Sequence, residues 1–398
     1  MDKTTCSSEL SIAVVCSESL KTFSPTINLV SSLIELGNKV SLLACDIDCL
    51  PSGVASNSLF QGFELGSRDT ASQKFGQLFS NPRKVRQFLR RMKNDTDLVW
   101  ITSIATLRDA GYLLKEFNYV VQLAELVQVY PLFARRPMPL HSSSVVKLTR
   151  EANRVVVPEL NRSFIQQAWW DLPTTPAVLP NKPSIPDSLY AECRDQELKS
   201  LFEQESRKIL LYQGAIVPDR NIEPFAEAVD MLGGEFALYL MGWARSDDDK
   251  RLLQRLQTHF KNTEYVGFVS APSHLFYTQY GYIGLLPYTS SKATTSSPLN
   301  ALYCAPNKIW EYAHAGLPMI GTKMPGLISE FSRNGIGFTA EKPNEIIDSI
   351  NKVQENYEEM SFNSRNYFNS LDYTSEVESI LKEALQYSRH SISDNDDL

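Results

Sequence analysis

Leu299-Asn-Ala-Leu-Tyr-Cys-Ala-Pro306-Asn307-Lys308-Ile309-Trp310-Glu311-Tyr312-Ala-His-Ala-Gly316-Leu-Pro318-Met319-Ile320-Gly321 is the stretch around which the chain is organised. Pro306 suits a first helical turn, where a missing N–H leaves no carbonyl unpaired. Gly316 suits a left-handed helix stop and Pro318 cannot continue the helix. The reading is therefore a helix of about ten residues running into a short apolar strand. Lys308, Glu311 and Ala315 share one helix face at three-to-four spacing, and Ile309, Trp310 and Ala313 share another. One face is suited to packing and the other to holding a ligand.

Strand and helix patterns alternate upstream of this element. Lys208-Ile-Leu-Leu-Tyr-Gln-Gly214 is an apolar run, followed by an amphipathic helix through Leu232. Phe236 to Met241, Tyr265 to Val269 and Ile283 to Leu286 continue the strands, with helices near Asp247 to Phe260 and Pro272 to Gln279. The first half repeats the pattern: Ser11 to Cys16, a helix from Pro25 to Leu36 closed by Gly37, Lys39 to Ala44, Leu98 to Thr102, Tyr119 to Leu123 and Arg154 to Pro158. Val178-Leu-Pro-Asn181-Lys-Pro183, continuing to Pro186, is the linker candidate. The expected architecture is α/β, two doubly wound Rossmann-like domains facing a cleft. Residues 1–183 form the N-terminal, acceptor-side domain and 184–372 the C-terminal, ligand-holding domain. Residues 373–398, with Val377, Ile380, Leu381, Ala384 and Leu385 at helical spacing, form a terminal helix and tail expected to pack back on the N-terminal domain.

Composition narrows the function. The chain has 398 residues, 43% hydrophobic and 21% charged, with a formal net charge of -7. That balance is globular, and the acidic excess argues against general nucleic-acid binding, which needs a basic surface. The N-terminal residues lack a secretory apolar core and no stretch has membrane-spanning length, so a cytoplasmic protein is expected. Six scattered cysteines fit reduced thiols. The loop after the first strand has no glycine, so the dinucleotide fingerprint is missing and no hydride-transfer cofactor is expected. No metal-ligand spacing stands out, Cys45-Asp-Ile-Asp-Cys49 reading as a strand end. Residues 82–93 carry six cations around an apolar stripe of Val85, Phe88, Leu89 and Met92. In an acidic protein this suggests contact with an anionic membrane surface or a phosphorylated acceptor, and a peripheral position at the inner membrane face. Arg135 and Arg136 are candidates for the same patch.

Taken in order, Tyr212-Gln-Gly214, Arg220, Met241-Gly242, Gly267-Phe-Val269, Leu286-Pro287, Pro306-Asn-Lys-Ile-Trp-Glu311-Tyr and Gly316-Leu-Pro318 resemble the C-terminal half of GT-B glycosyltransferases. The likeness is to the large retaining group called family 4. Val120-Val-Gln-Leu-Ala-Glu125-Leu and Arg154-Val-Val-Val-Pro158 extend it more loosely into the first half. The resemblance implies a nucleotide-sugar donor as co-substrate, with no other cofactor and no metal. It implies that Arg220 and Lys308 stabilise the leaving diphosphate and that Glu311 accepts both ribose hydroxyls. Gly214, Gly242 and backbone near Val269 would line the donor site, with Asn307 beside them. Asn300 is the candidate for the sugar, and Glu125 for orienting the sugar or the acceptor.

Three departures from that family's pattern bear on catalysis. Ala215 stands where many members have an arginine, Ala124 where many have a histidine before the glutamate, and Tyr303 where a further carboxylate is expected. His141 is a candidate substitute for the histidine. The resulting expectation is a retaining, metal-independent hexosyltransferase acting on a sugar, lipid-linked or protein acceptor, as in bacterial polysaccharide or glycolipid synthesis. The competing readings are a non-catalytic sugar-nucleotide-binding partner subunit and a GT-B epimerase.

Overall fold

The computed structural model describes residues 9–66, 71–127, 142–185, 189, 195–290 and 298–386, without the side chains of 71–79 and 142–143. The chain divides into two compact units: Met1–Pro180 with Asp372–Leu398, and Asn181–Leu371. The division falls inside the proline-rich stretch.

In the first unit seven strands are described: β1 (Ser11–Ser19), β2 (Lys39–Cys45), β3 (Phe60–Glu64), β4 (Leu98–Ile101), β5 (Tyr119–Gln122), β6 (Arg154–Val157) and β7 (Ala177–Val178). They pair in parallel in the order β3-β2-β1-β4-β5-β6-β7. Ile12, Val14 and Cys16 enter one core layer while Ala13 and Val15 enter the other, with the same split along β2 and β4. Burial on both faces is why these strands read as unbroken apolar runs rather than as alternation. β3 and β7, which have no counterpart in the sequence reading, lie at the two edges of this sheet.

The basic segment lies on a helix that starts at Ala71 and ends at Met92, so Pro82 sits inside it rather than at its first turn. Proline there forfeits one backbone bond and crowds the carbonyl four residues back, yet the helix runs on. Val85, Phe88, Leu89 and Met92 enter the core as their spacing requires. The last described helix, Tyr373–Gln386, buries Val377, Ile380, Leu381 and Ala384 against the first unit. Asn153 Nδ2 donates to the Ala384 carbonyl at 3.1 Å, and the Thr374 hydroxyl to Glu35 Oε2 at 2.9 Å.

Among the described residues six strands form the sheet of the second unit: β8 (Lys208–Ala215), β9 (Phe236–Trp243), β10 (Thr263–Gly267), β11 (Ile283–Leu286), β12 (Met319–Gly321) and β13 (Gly337–Thr339). All pairs are parallel, in the order β10-β9-β8-β11-β12-β13. Each sheet thus starts near its centre, winds to one edge, then crosses to the other side, the doubly wound Rossmann pattern. Leu210, Leu238 and Leu285 face one layer of helices; Leu211, Tyr239 and Leu286 face the other.

Candidate functional site

Strand order in the second sheet reverses between β8 and β11, and the carboxyl ends of such strands are where open α/β sheets leave a crevice. Gly214, near the end of β8, has φ +125, and a Cβ there would lie 2.7 Å from both Cε and Nζ of Lys308. Glycine is thus needed for backbone conformation and for the lysine's position together. Gly242 pairs with Gly214 across β8 and β9, and its Cβ would lie 1.7 Å from the Gly214 carbonyl oxygen. The close approach at Gly242 is made by the neighbouring strand itself.

The helix predicted from residue 306 runs Asn307–His314, with Pro306 at its N-cap rather than in its first turn and Gly316 left-handed at φ +71. Its position is fixed by Tyr312. The phenol donates to the Leu211 carbonyl at 2.9 Å and accepts the Gln213 N–H at 3.1 Å, tying the helix to β8. Gly284 of β11 makes room for it, since a Cβ there would fall 2.4 Å from the ring. On the packing face Ile309 joins the core, and Trp310 stacks on Tyr367 at 4.4 Å between centroids.

On the other helix face Glu311 is closed off from solvent. Glu311 is only 6% exposed, and its carboxylate meets His274 Nε2 at 3.2 Å through Oε1 and Gln213 Nε2 at 2.5 Å through Oε2. Burial pushes its pKa up, but His274, Lys308 and the Gln213 amide outweigh that and leave it below the usual carboxylate value. The surface pairing of Glu311 with Lys308 that helical spacing permits is replaced by the His274 contact.

Lys308 is half-buried, and its ammonium makes no hydrogen bond or ion pair among the described residues; it lies 5.9 Å from the centroid of the Tyr212 ring. Burial, and next the nearby Arg220 cation, bring it down to about 8, against the opposing pull of Glu311. Arg220 is held at the same edge by a backbone bridge to Tyr288, just past β11. Its guanidinium lies 4.6 Å from the Tyr288 ring centroid, and Nη1 reaches Asp219 Oδ1 at 2.9 Å. Two cations are therefore gathered near the end of β8, where an anion would relieve their mutual repulsion.

The remaining candidates are placed less tightly. Asn307 opens the helix of Glu311, Asn300 lies in the short helix Pro298–Leu302, and Val269 packs on the core just after β10. Glu125 belongs to the first unit, its side chain 59% exposed, with Oε2 3.9 Å from Arg162 Nη1. Ala124, beside it, accepts from the same arginine through its carbonyl at 2.8 Å. Of the six cations at 82–93, Lys84 donates to the Leu65 carbonyl, Arg86 to the Asp109 carbonyl, Arg91 lies over Phe63 and Lys93 pairs with Glu116. Arg83 and Arg90 are exposed and make no such contact among the described residues. Arg135, Arg136, His141 and most of the loop before Pro298 lie outside the described residues. Gln213, His274 and Thr278 were missed by sequence reasoning; the one available signal was a glutamine inside an otherwise apolar strand.

Comparison with solved structures bears on the whole chain. Sucrose-phosphate synthase from Thermosynechococcus elongatus superposes with a TM-score of 0.65 at 15% identity, covering 95% of this chain and 97% of that one. HepE from Anabaena, in complex with UDP-glucose, gives 0.66 at 13% identity over 94% and 99%. The chain has the GT-B fold. WaaG, a glycosyltransferase involved in lipopolysaccharide biosynthesis, gives 0.61 at 14% identity over 95% and 99%. No family model matches the chain, and no curated protein matches it by sequence. In GT-B terms the Lys308, Arg220 and Glu311 cluster occupies the switch-point edge of the C-terminal Rossmann-like sheet.

Proposed function

We propose that this chain is a glycosyltransferase whose second unit binds a nucleotide-sugar, with Glu311 accepting the ribose hydroxyls and Lys308 and Arg220 facing the diphosphate. The observation that carries the reading is the gathering of a buried carboxylate and two cations at one strand edge of a GT-B fold. A departing nucleoside diphosphate needs its developing charge stabilised by preorganised positive groups. Lys308 and Arg220 supply those groups from the protein, which supports metal-independent departure. With the leaving phosphate able to take the acceptor's proton on the face it vacates, retention follows without a protein nucleophile. Gly214 and Asn307 line the donor side and Asn300 faces the sugar. Glu125 orients the sugar or the acceptor. Arg83 and Arg90 on the basic helix suit a lipid-linked acceptor at an anionic membrane, as in polysaccharide or glycolipid synthesis.

A thermal-shift screen with UDP, ADP, GDP and their hexose conjugates tests donor binding, since a ligand of the native state raises the melting point. One diphosphate series should stabilise the wild-type chain and fail with Glu311→Ala. Absence of stabilisation by every compound would sink the reading. Ala124 favours a second reading, because a methyl group cannot do the work of an imidazole. If donors bind tightly yet are neither hydrolysed nor transferred, the chain is a non-catalytic donor-binding subunit.

A further inference from the structure

Glu311 is held by an arrangement that its burial alone does not require. A buried carboxylate needs donors, and one backbone or water contact per oxygen would suffice. Here the donors are two side chains from separate elements. Gln213 comes from β8, and His274 opens the helix His274–Thr278. The Gln213 amide is itself oriented: the Thr278 hydroxyl, which also lies 3.1 Å from the His274 carbonyl, donates to Gln213 Oε1 at 2.9 Å. That leaves Nε2 directed at Glu311 Oε2. Gln213 and Thr278 are buried, which shields this orientation from bulk solvent. His274 Nε2 faces Oε1, while its buried Nδ1 has no partner among the described residues, so the imidazole is anchored through the Glu311 contact. Nε2 donates in both the neutral form protonated there and the cation, so the contact does not depend on which is present.

One donor per oxygen fixes the carboxylate plane and still leaves each oxygen a lone-pair direction. A vicinal diol presents two hydroxyls to two such oxygens, provided the plane does not rotate. We infer that His274 and Gln213 are positioning residues that lock the Glu311 carboxylate, and through it set the preference of the site for a nucleotide with an intact ribose diol over its deoxy counterpart. The inference rests on the ribose role proposed for Glu311.

The test compares dissociation constants by calorimetry for UDP and dUDP, ADP and dADP, and GDP and dGDP, using the pair that binds wild type. Hydrogen bonds to a charged group predict a ribo-to-deoxy preference of about tenfold to a hundredfold. Glu311→Gln should erase most of it. His274→Leu and Gln213→Met should each cut the preference by about threefold to tenfold, while His274→Gln, which keeps a side-chain N–H, retains more of it. Thr278→Val, which frees the Gln213 amide without removing either donor, should lower the preference in the same direction and serves if an apolar variant fails to fold. A merely structural role would weaken the ribo and deoxy ligands alike. An unchanged ratio in folded His274→Leu, Gln213→Met and Thr278→Val, with the ratio lost in Glu311→Gln, overturns the inference and leaves the ribose reading standing. An unchanged ratio in Glu311→Gln, or no binding by any of the diphosphates, removes both.

Discussion

Alanine at Gly214 should weaken anion binding while the protein stays folded, whereas alanine at Gly242 should damage the fold itself. At Gly214 the new Cβ would sit 2.7 Å from Cε and Nζ of Lys308. Those atoms end a flexible side chain and can swing away, so the clash is relieved at the expense of the lysine's position. What remains is the backbone term at φ +125, about 1–3 kcal/mol for a side chain in such a conformation. Against a native stability of about 5–15 kcal/mol, that leaves a folded protein. At Gly242 the obstruction is the Gly214 carbonyl, with oxygen at 1.7 Å and carbon at 2.7 Å, both main-chain atoms of a central strand. Nothing there can rotate aside, and separating β8 from β9 disrupts their ladder, so a loss above about 3 kcal/mol is expected. Urea unfolding followed by circular dichroism measures the stability, and calorimetry with the stabilising nucleoside diphosphate measures the site. Gly214→Ala should shift the urea midpoint modestly and lose roughly tenfold or more in affinity, the weight of one charge-assisted contact; Gly242→Ala should lose most of its stability. Wild-type stability in Gly242→Ala would refute the packing argument. Wild-type affinity in Gly214→Ala, where Lys308→Ala is impaired, would show that the lysine does not need the space.

The depressed Lys308 ammonium makes binding protonically active: a diphosphate favours the charged form, so complex formation at pH 8.5 should take up protons. Calorimetry in buffers of different ionisation enthalpy measures this, and equal apparent enthalpies would count against it. Without ligand, Lys308 sits at about 8 when folded and 10.5 when unfolded, so its contribution favours the folded state increasingly as pH rises between those values. Glu205 acts in the same direction in a lower pH window. Hydrogen bonding from Arg207 foremost, against the cost of burial, brings its pKa to about 2, so stability should fall as pH drops from about 4.5 towards 2. Urea midpoints at pH 5 and pH 3 should differ more for wild type than for Glu205→Gln, and equal differences would contradict this assignment. Ending the chain at Leu371 strips Val377, Ile380 and Leu381 from the first unit, each large apolar side chain worth about 1.5–3 kcal/mol of burial. Limited proteolysis should then cut the first unit selectively, whereas full resistance would refute the packing role.

The doubly wound sheets were legible because their inner strands are buried on both faces. Ile12 to Cys16 and Ile209 to Tyr212 are apolar without interruption, and few other structures produce that pattern between amphipathic helices. β3 was illegible because an edge strand of Phe-Gln-Gly-Phe-Glu is mostly exposed and interrupted by glycine. β7 contributes only two residues to its ladder. Periodicity separated the Lys308 and Glu311 face from the Trp310 face, but it could not say that Glu311 on the former is covered. That depends on β8 and on the helix of His274, which approach only after the sheet is assembled. For the same reason the partners of Glu311 lay beyond reach: Gln213 and His274 are remote in sequence, and only topology brings them to it.

The return of helix Tyr373–Gln386 to the first unit has a consequence for synthesis. The intervening unit, Asn181–Leu371, is an uninterrupted segment and can fold as soon as it leaves the ribosome. The first unit cannot complete its core then, although most of its strands were made earlier. At about 5–20 residues per second, it waits roughly ten to forty seconds while the inserted unit is translated. During that interval the surface that will receive Val377, Ile380 and Leu381 is uncovered. A chaperone that recognises exposed apolar surface would find its nascent target in the half of the protein made first, and the last helix would end the engagement.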